Sequence, residues 1–251
     1  MRFRLSEKID MIKFFRKIRQ QLLTENKISK YLIYAIGEIV LVVIGILIAL
    51  SINNWNENRK LENEELNLLL EVKSNLEITL KNFKNDTLFN TKNIIQLRKI
   101  EHYIDEDLAY NTELDSSFGM FGQWASPYPI TTAYTTLKTK GLDIISNKSL
   151  RNEIVNMYEF EFVILHNDYD KGEWGIIGNA NLFLNKHIRS KNSKQSARPN
   201  DFEFLKDLIE FRNILGKIIA QRETGLRMYK LAMAPMEDLI AHLDKELNSR
   251  N

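Results

Sequence analysis

The apolar residues of this chain follow two patterns. From Tyr31 to Ile52, YLIYAIGEIVLVVIGILIALSI, they cover every face, and fourteen of the 22 residues are Leu, Ile or Val. As a helix this run would span roughly 33 Å at about 1.5 Å per residue, the thickness of a bilayer core. Each aliphatic residue favours insertion by about 0.3 to 0.6 kcal/mol, and Glu38 costs at most about 3 kcal/mol, so insertion wins. Residues 31–52 therefore read as a transmembrane helix. Elsewhere the apolar residues form stripes. Met11, Phe14, Phe15, Ile18 and Leu22 recur at spacings of three and four among Lys13, Arg16 and Lys17, the pattern of a basic amphipathic helix lying on an anionic membrane surface. Leu69, Val72, Leu76, Leu80 and Phe83 continue the membrane helix outward, and Leu97, Ile100, Ile104 and Leu108 form a second series after Asn85-Asp86-Thr87.

Beyond these, residues 117–130 combine Gly and Pro with Phe118, Phe121, Trp124 and Tyr128 and read as an aromatic loop. The four aromatics either close the end of the bundle or form an exposed partner patch. A helix over Thr132–Lys140 stops at Gly141. Another starts after Ser146 or Asn147, with Leu150, Ile154, Tyr158, Phe162 and Leu165 on one stripe. Residues 189–200, RSKNSKQSARPN, lack apolar periodicity and read as a mobile basic linker. Asp201 is placed to cap a helix bearing Phe204, Leu208, Phe211, Leu215 and Ile218, and Pro235 to open a last one with Leu239, Leu243 and Leu247. The expected architecture is all-α: a segment 1–30, a single transmembrane helix 31–52, and an antiparallel bundle of about five or six helices over 53–251.

Charge sets the orientation. Residues 1–30 hold nine Lys/Arg against three acids, and residues 53–72 hold two Lys/Arg against five Glu. The positive-inside rule puts the first segment in the cytoplasm and residues 53–251 across the membrane. Tyr31 and Tyr34 suit the inner interface and Trp55 the outer one. Met11 offers a second start, after which six of the nine basic residues remain. A cleaved signal peptide is the competing reading, since Ala49-Leu50-Ser51 resembles a cleavage site, but the apolar run is too long and too far from the first residue. Within the run, residues seven and eleven apart nearly superpose, so Glu38, Gly45 and Ala49 share one stripe, which Tyr31 and Ala35 extend. A small, polar stripe of this kind suits pairing with another membrane helix.

MIKFFRKIRQQLL, then YAIGEIVLVVIGILIALSINNWNENRK, then AYTTLKTKGLDIISNKSLRNEIVNMY resemble an uncharacterised family of single-pass membrane proteins of Bacteroidota, a domain of unknown function. The resemblance covers nearly the whole chain. It implies an inner (cytoplasmic) membrane protein with a periplasmic domain, and it carries no catalytic residues.

Site chemistry is sparse. The chain has no cysteine, which excludes thiolate metal sites, cysteine nucleophiles and disulfides. His102, His166, His187 and His242 show no metal-binding spacing, and His166-Asn167-Asp168-Tyr169-Asp170 lacks the length of a calcium loop and reads as a solvated helix end. Gly172, Gly175 and Gly178 follow a helix rather than a strand, which excludes the dinucleotide fingerprint. Basic residues are not arranged in an aromatic-studded groove, so nucleic acid is not an expected partner. No cofactor, metal or catalytic set is expected, and the chain does not read as an enzyme. The expected partners are the lipid bilayer, other envelope proteins and a second copy through the membrane helix. The function these imply is envelope interaction or assembly; the alternative is a periplasmic sensor or accessory domain working through a separate signalling partner.

Overall fold

The computed structural model describes residues 28–190 and 196–250, with Arg16, Lys17 and Gln20 before them. The amphipathic stripe Met11, Phe14, Phe15, Ile18 and Leu22 lies outside the described residues, as does the side chain of Tyr31. The chain divides into two compact units, Met1–Glu62 and Asn63–Asn251. Helix α1, Ile28–Asp105, contributes to both.

In the first unit, every Leu, Ile and Val from Leu32 to Ile52 is exposed. This is the one helix among the described residues long and apolar enough to cross a membrane, and none of its apolar window is buried by protein. Past it, the Arg59 guanidinium lies 5.8 Å from the centre of the Trp55 ring, a cation–π contact that also covers apolar ring surface.

The second unit is built from four limbs. The first is α1 from Asn63 onward, with Leu69, Val72, Leu76 and Phe83, then Ile94, Leu97, Ile100 and Ile104 buried at helical spacing. The helix runs unbroken through Asn85-Asp86-Thr87. The second limb comprises α2 (Leu114–Gly119), an irregular stretch, and α3 (Thr132–Lys140). Its direction follows from its partners on α1. Asn93 meets Met120, Asn90 meets Ala125, Thr79 meets Ile130 and Lys140 meets Glu64, so it runs antiparallel to α1. Gly141, at φ +109°, ends α3 in a conformation a side chain would disfavour.

The third limb comprises α4 (Lys148–Asn156), a π-helical turn Met157–Glu161, α5 (Phe162–Ile164), a second π-helical turn Leu165–Asp170, and α6 (Lys171–His187). Ile154, Tyr158 and Phe162, and again Leu165, Tyr169, Glu173 and Ile177, keep strict steps of four. In an α-helix that spacing drifts around the axis; widened turns keep the residues on one face. Asn147 caps α4 by accepting from the Ser149 and Leu150 N–H groups. A short ribbon follows, β1 (Ile188–Ser190) antiparallel to β2 (Ala197–Pro199). The expected linker 189–200 is thus ordered at both flanks, and residues 191–195 lie outside the described residues. Arg198 explains the order of β2: it pairs with Asp115 at 2.9 Å and covers Tyr110. Asp201 caps α7 (Phe202–Asp207) as expected, but that helix ends at Leu208.

The fourth limb is α8, Ile209–Ser249, and Pro235 lies inside it rather than opening a new helix. The proline withholds a hydrogen bond from Leu231, four residues earlier and exposed, where water can supply it. One core joins the first part of α1 in this unit with α3, α4, both π turns and the last part of α8. A second joins the end of α1 with α2, α6, α7 and the start of α8. The limbs therefore run up, down, up and down.

Candidate functional site

The two cores meet at a layer of buried polar side chains. All but Asp170 sit where the hydrophobic series calls for an apolar residue. On α1 these are Thr79, Asn90 and Asn93, on the third limb Asp170 and Glu173, and on α8 Arg222. Arg222 occupies a core position between Ile218 and Tyr229 and is fully buried.

Much of the layer serves the irregular stretch after α2. Backbone outside helix and sheet that is shielded from water must have its N–H and C=O groups satisfied. Here side chains take the place of a neighbouring strand. Asn90 pairs with Ala125 twice, donating to its carbonyl at 3.2 Å and accepting from its N–H at 2.8 Å. Asn93 donates to the carbonyls of Met120 and Gln123 at 2.8 and 2.7 Å. Thr79 Oγ1 accepts from the Ile130 N–H at 3.0 Å. Arg222 donates through Nη2 to the Phe121 carbonyl at 2.7 Å and through Nη1 to Asn93 Oδ1.

The third limb supplies the acids. Glu173 lies 3.6 Å from Arg222 Nε, with both residues fully buried. Neither Glu173 oxygen nor Arg222 Nε has a hydrogen-bond partner in the structure. Burial pushes the Glu173 carboxyl up to about 7, with Arg222 drawing it back and Asp170 adding to the rise. Burial also lowers Arg222, which stays charged because a guanidinium starts so high. Asp170 accepts from Trp124 Nε1 at 3.2 Å and faces His166 Nδ1 at 3.4 Å. Asn90 donates to the Tyr169 hydroxyl at 3.1 Å. The single Tyr229 hydroxyl proton faces two acceptors, Asp86 at 3.3 Å and the Ala125 carbonyl at 3.2 Å; burial raises Asp86 despite the first of these bonds. Tyr169 packs onto Gly225, where any Cβ would collide with its ring.

The stretch 166–170 is therefore no solvated helix end. It forms the second π turn, and Tyr169 and Asp170 point into the core. Such turns recur at functional sites because they expose backbone groups that an α-helix would bond; here the Tyr169 carbonyl accepts from Gln221 Nε2 at 3.1 Å. Among the described residues, no group of three or more His, Asp or Glu is arranged to hold a metal ion.

Of the aromatic loop, Phe118 and Phe121 are buried in the second core, stacked with Phe211. They are thus unavailable as a docking surface in this conformation. Trp124 is half-buried, packs against both cores, and meets Trp174 edge-on at 5.0 Å. Tyr128 is 70% exposed. In the first unit, Glu38, Gly45 and Ala49 are exposed along α1, as are Tyr34 and Trp55. A Cβ added at Gly45 would meet nothing within 4 Å.

The profile of a family described as of unknown function, DUF6090, matches residues 38–214, well over half the chain. The matched region includes Asn90, Asn93, the aromatic loop and Glu173, and stops before Arg222. No curated protein and no solved structure matches the chain. The chain belongs to the DUF6090 family.

Proposed function

We propose that this protein is a membrane-anchored interaction or assembly protein of the cell envelope, without catalytic activity. Residues 31–52 cross the inner membrane once, residues 1–30 lie in the cytoplasm, and residues 53–251 form a periplasmic helical domain. One observation carries the anchoring: a helix apolar on all faces whose aliphatic side chains no other part of the chain covers. Such a surface is stable only in an apolar surrounding, and lipid supplies one. The nine-to-two excess of basic residues before the span supports the orientation.

The membrane helix pairs with another helix through Glu38, Gly45 and Ala49. The open space over Gly45 supports this reading, since the chain's own packing gives no reason for a glycine there. Reporter fusions after Lys60 and after Asn251 test the topology. Both should be active as a periplasmic phosphatase and dark as a cytoplasmic fluorescent protein; the reverse pattern at either point overturns it. A second reading, a periplasmic sensor acting through a separate signalling partner, is favoured by the buried ionisable layer. Buried ionisable groups with shifted titration cluster at functional sites.

A further inference from the structure

We propose that Glu173 and Arg222 form a proton-operated latch on residues 120–125, in which a protonated Glu173 leaves Arg222 to hold the loop and an ionised Glu173 competes for the same guanidinium.

Three features of the geometry lead to this. Arg222 is shared: Nη1 and Nη2 face Asn93 and the loop carbonyl of Phe121, while Nε faces Glu173. The Glu173 carboxyl is fully buried and has no hydrogen-bond partner in the structure. A carboxylate there without a hydrogen bond carries a desolvation cost that the guanidinium 3.6 Å away offsets only in part and that protonation removes. The held segment also carries Trp124, whose indole binds Asp170 and rests on Trp174, the residue next to Glu173.

When the carboxyl loses its proton to solvent, the carboxylate recruits Nε and Nη2 together, because two parallel N–H bonds from one side of a guanidinium fit its two oxygens. Nη2 has a second N–H, so it is the shift of the guanidinium from its 3.6 Å separation toward the carboxylate that stretches the bond to the Phe121 carbonyl, and the loop loosens. Other polar groups surround this pair on every packed element. They are Asp86, Asn90 and Asn93 on α1, His166, Tyr169 and Asp170 on the third limb, Trp124 on the loop, and Tyr229 on α8. Of these, His166 faces Asp170 from the same π turn, so the test must separate it from Glu173. The latch stands whether or not residues 53–251 lie in the periplasm.

The test uses the full chain in detergent with Trp55→Phe, so that Trp124 and Trp174 alone report. Their fluorescence should titrate once between pH 5 and 9 with a midpoint near 7, and the protection of the amides of residues 121–126, corrected for the base-catalysed rise of intrinsic exchange, should fall at least tenfold over the same range. Glu173→Gln should remove both transitions and fix the slow-exchanging form, whereas His166→Asn should keep them. Loss in His166→Asn with persistence in Glu173→Gln overturns the proposal. Should Glu173→Gln fail to fold, infrared difference spectra of the wild type decide. A protonated-carboxyl band lost with the same midpoint supports the latch, and a band absent at pH 6 overturns it.

Discussion

Helix α1 shows how one backbone geometry serves two surroundings. From Leu32 to Ile52 it is apolar on all faces and exposed; from Asn63 its apolar residues form a single stripe, and that stripe is buried. Helix propensity does not separate the two, since β-branched and aliphatic residues fill both. The difference lies in how many faces are apolar. A stripe can be covered by three other limbs of the same chain. The full cylinder of the first region is left uncovered by the described residues of the chain. The two regions should therefore fail in different ways when they are mutated.

Two arginines give the sharpest contrast. Ile44→Arg together with Leu47→Arg costs roughly 7 kcal/mol of insertion, against about 4 to 8 kcal/mol supplied by the whole aliphatic run. The double variant should leave the membrane fraction on alkaline extraction while its bundle keeps the wild-type unfolding transition. Persistence in the membrane would mean that something other than the apolar run anchors the chain.

Next in size is cavity formation. Leu76 is fully buried among the limbs, so Leu76→Ala should cost about 2 to 5 kcal/mol in denaturant unfolding of the full chain. Leu47→Ala removes the same atoms from the exposed region and should cost the bundle nothing, changing only insertion by about 0.5 kcal/mol. Equal losses at both positions would show that the Leu47 region is packed by protein.

A third contrast concerns charge. The buried Glu65 carboxylate receives Arg250 through two bonds of 2.7 and 2.9 Å and the Ser146 N–H at 2.8 Å. Burial alone would raise this carboxyl, and the bonds from Arg250 and Ser146 outweigh it and hold it below its ordinary value. A carboxyl depressed by folding adds stability above its unfolded pKa, and that stability is lost as pH falls through the lower folded value. Arg250→Ala should cost roughly 3 kcal/mol at pH 7, and less as pH falls and Glu65 takes up its proton. A cost that does not shrink in acid would mean that Arg250 acts by packing alone.

Much of this architecture is legible in the sequence, because helical periodicity is a local property. The apolar run, the stripes on α1, the stop at Gly141 and the caps at Asn147 and Asp201 all follow from residues within a few positions of one another. The buried layer is legible only in hindsight. Asn90, Asn93, Glu173 and Arg222 stand in core positions, and polar residues there are a usable signal. Their partners, however, are up to 129 residues away, as Arg222 and Asn93 show. Periodicity cannot supply such a pairing. The ribbon around Arg198 is hidden for the same reason: a basic, aperiodic segment has the pattern of a mobile linker, and the Asp115 that orders it is 83 residues away. Pro235 misleads in the opposite direction, because tertiary packing carries the helix through a residue that local rules treat as a start.

The smallest effect tests the most local feature. Asn147 caps α4 through Oδ1, which accepts from Ser149 and Leu150, and its Nδ2 donates to Glu246 at 2.8 Å on α8. That bond is the first cause, with Arg250 the second, of a Glu246 carboxyl held below its ordinary value. Asn147→Ala removes the cap and the donor and should cost about 1 kcal/mol for the cap, with a smaller addition for Glu246. Asn147→Asp separates the two contributions. Aspartate caps as well as asparagine but cannot donate, and it places a second negative charge beside Glu246. Its stability should match wild type in acid, where both carboxyls are protonated, and fall below it as pH rises and the two negative charges develop side by side. If Asn147→Asp instead matched wild type at pH 7, the link from α4 to α8 would contribute nothing, and the helix start would be stabilised by its own turn alone.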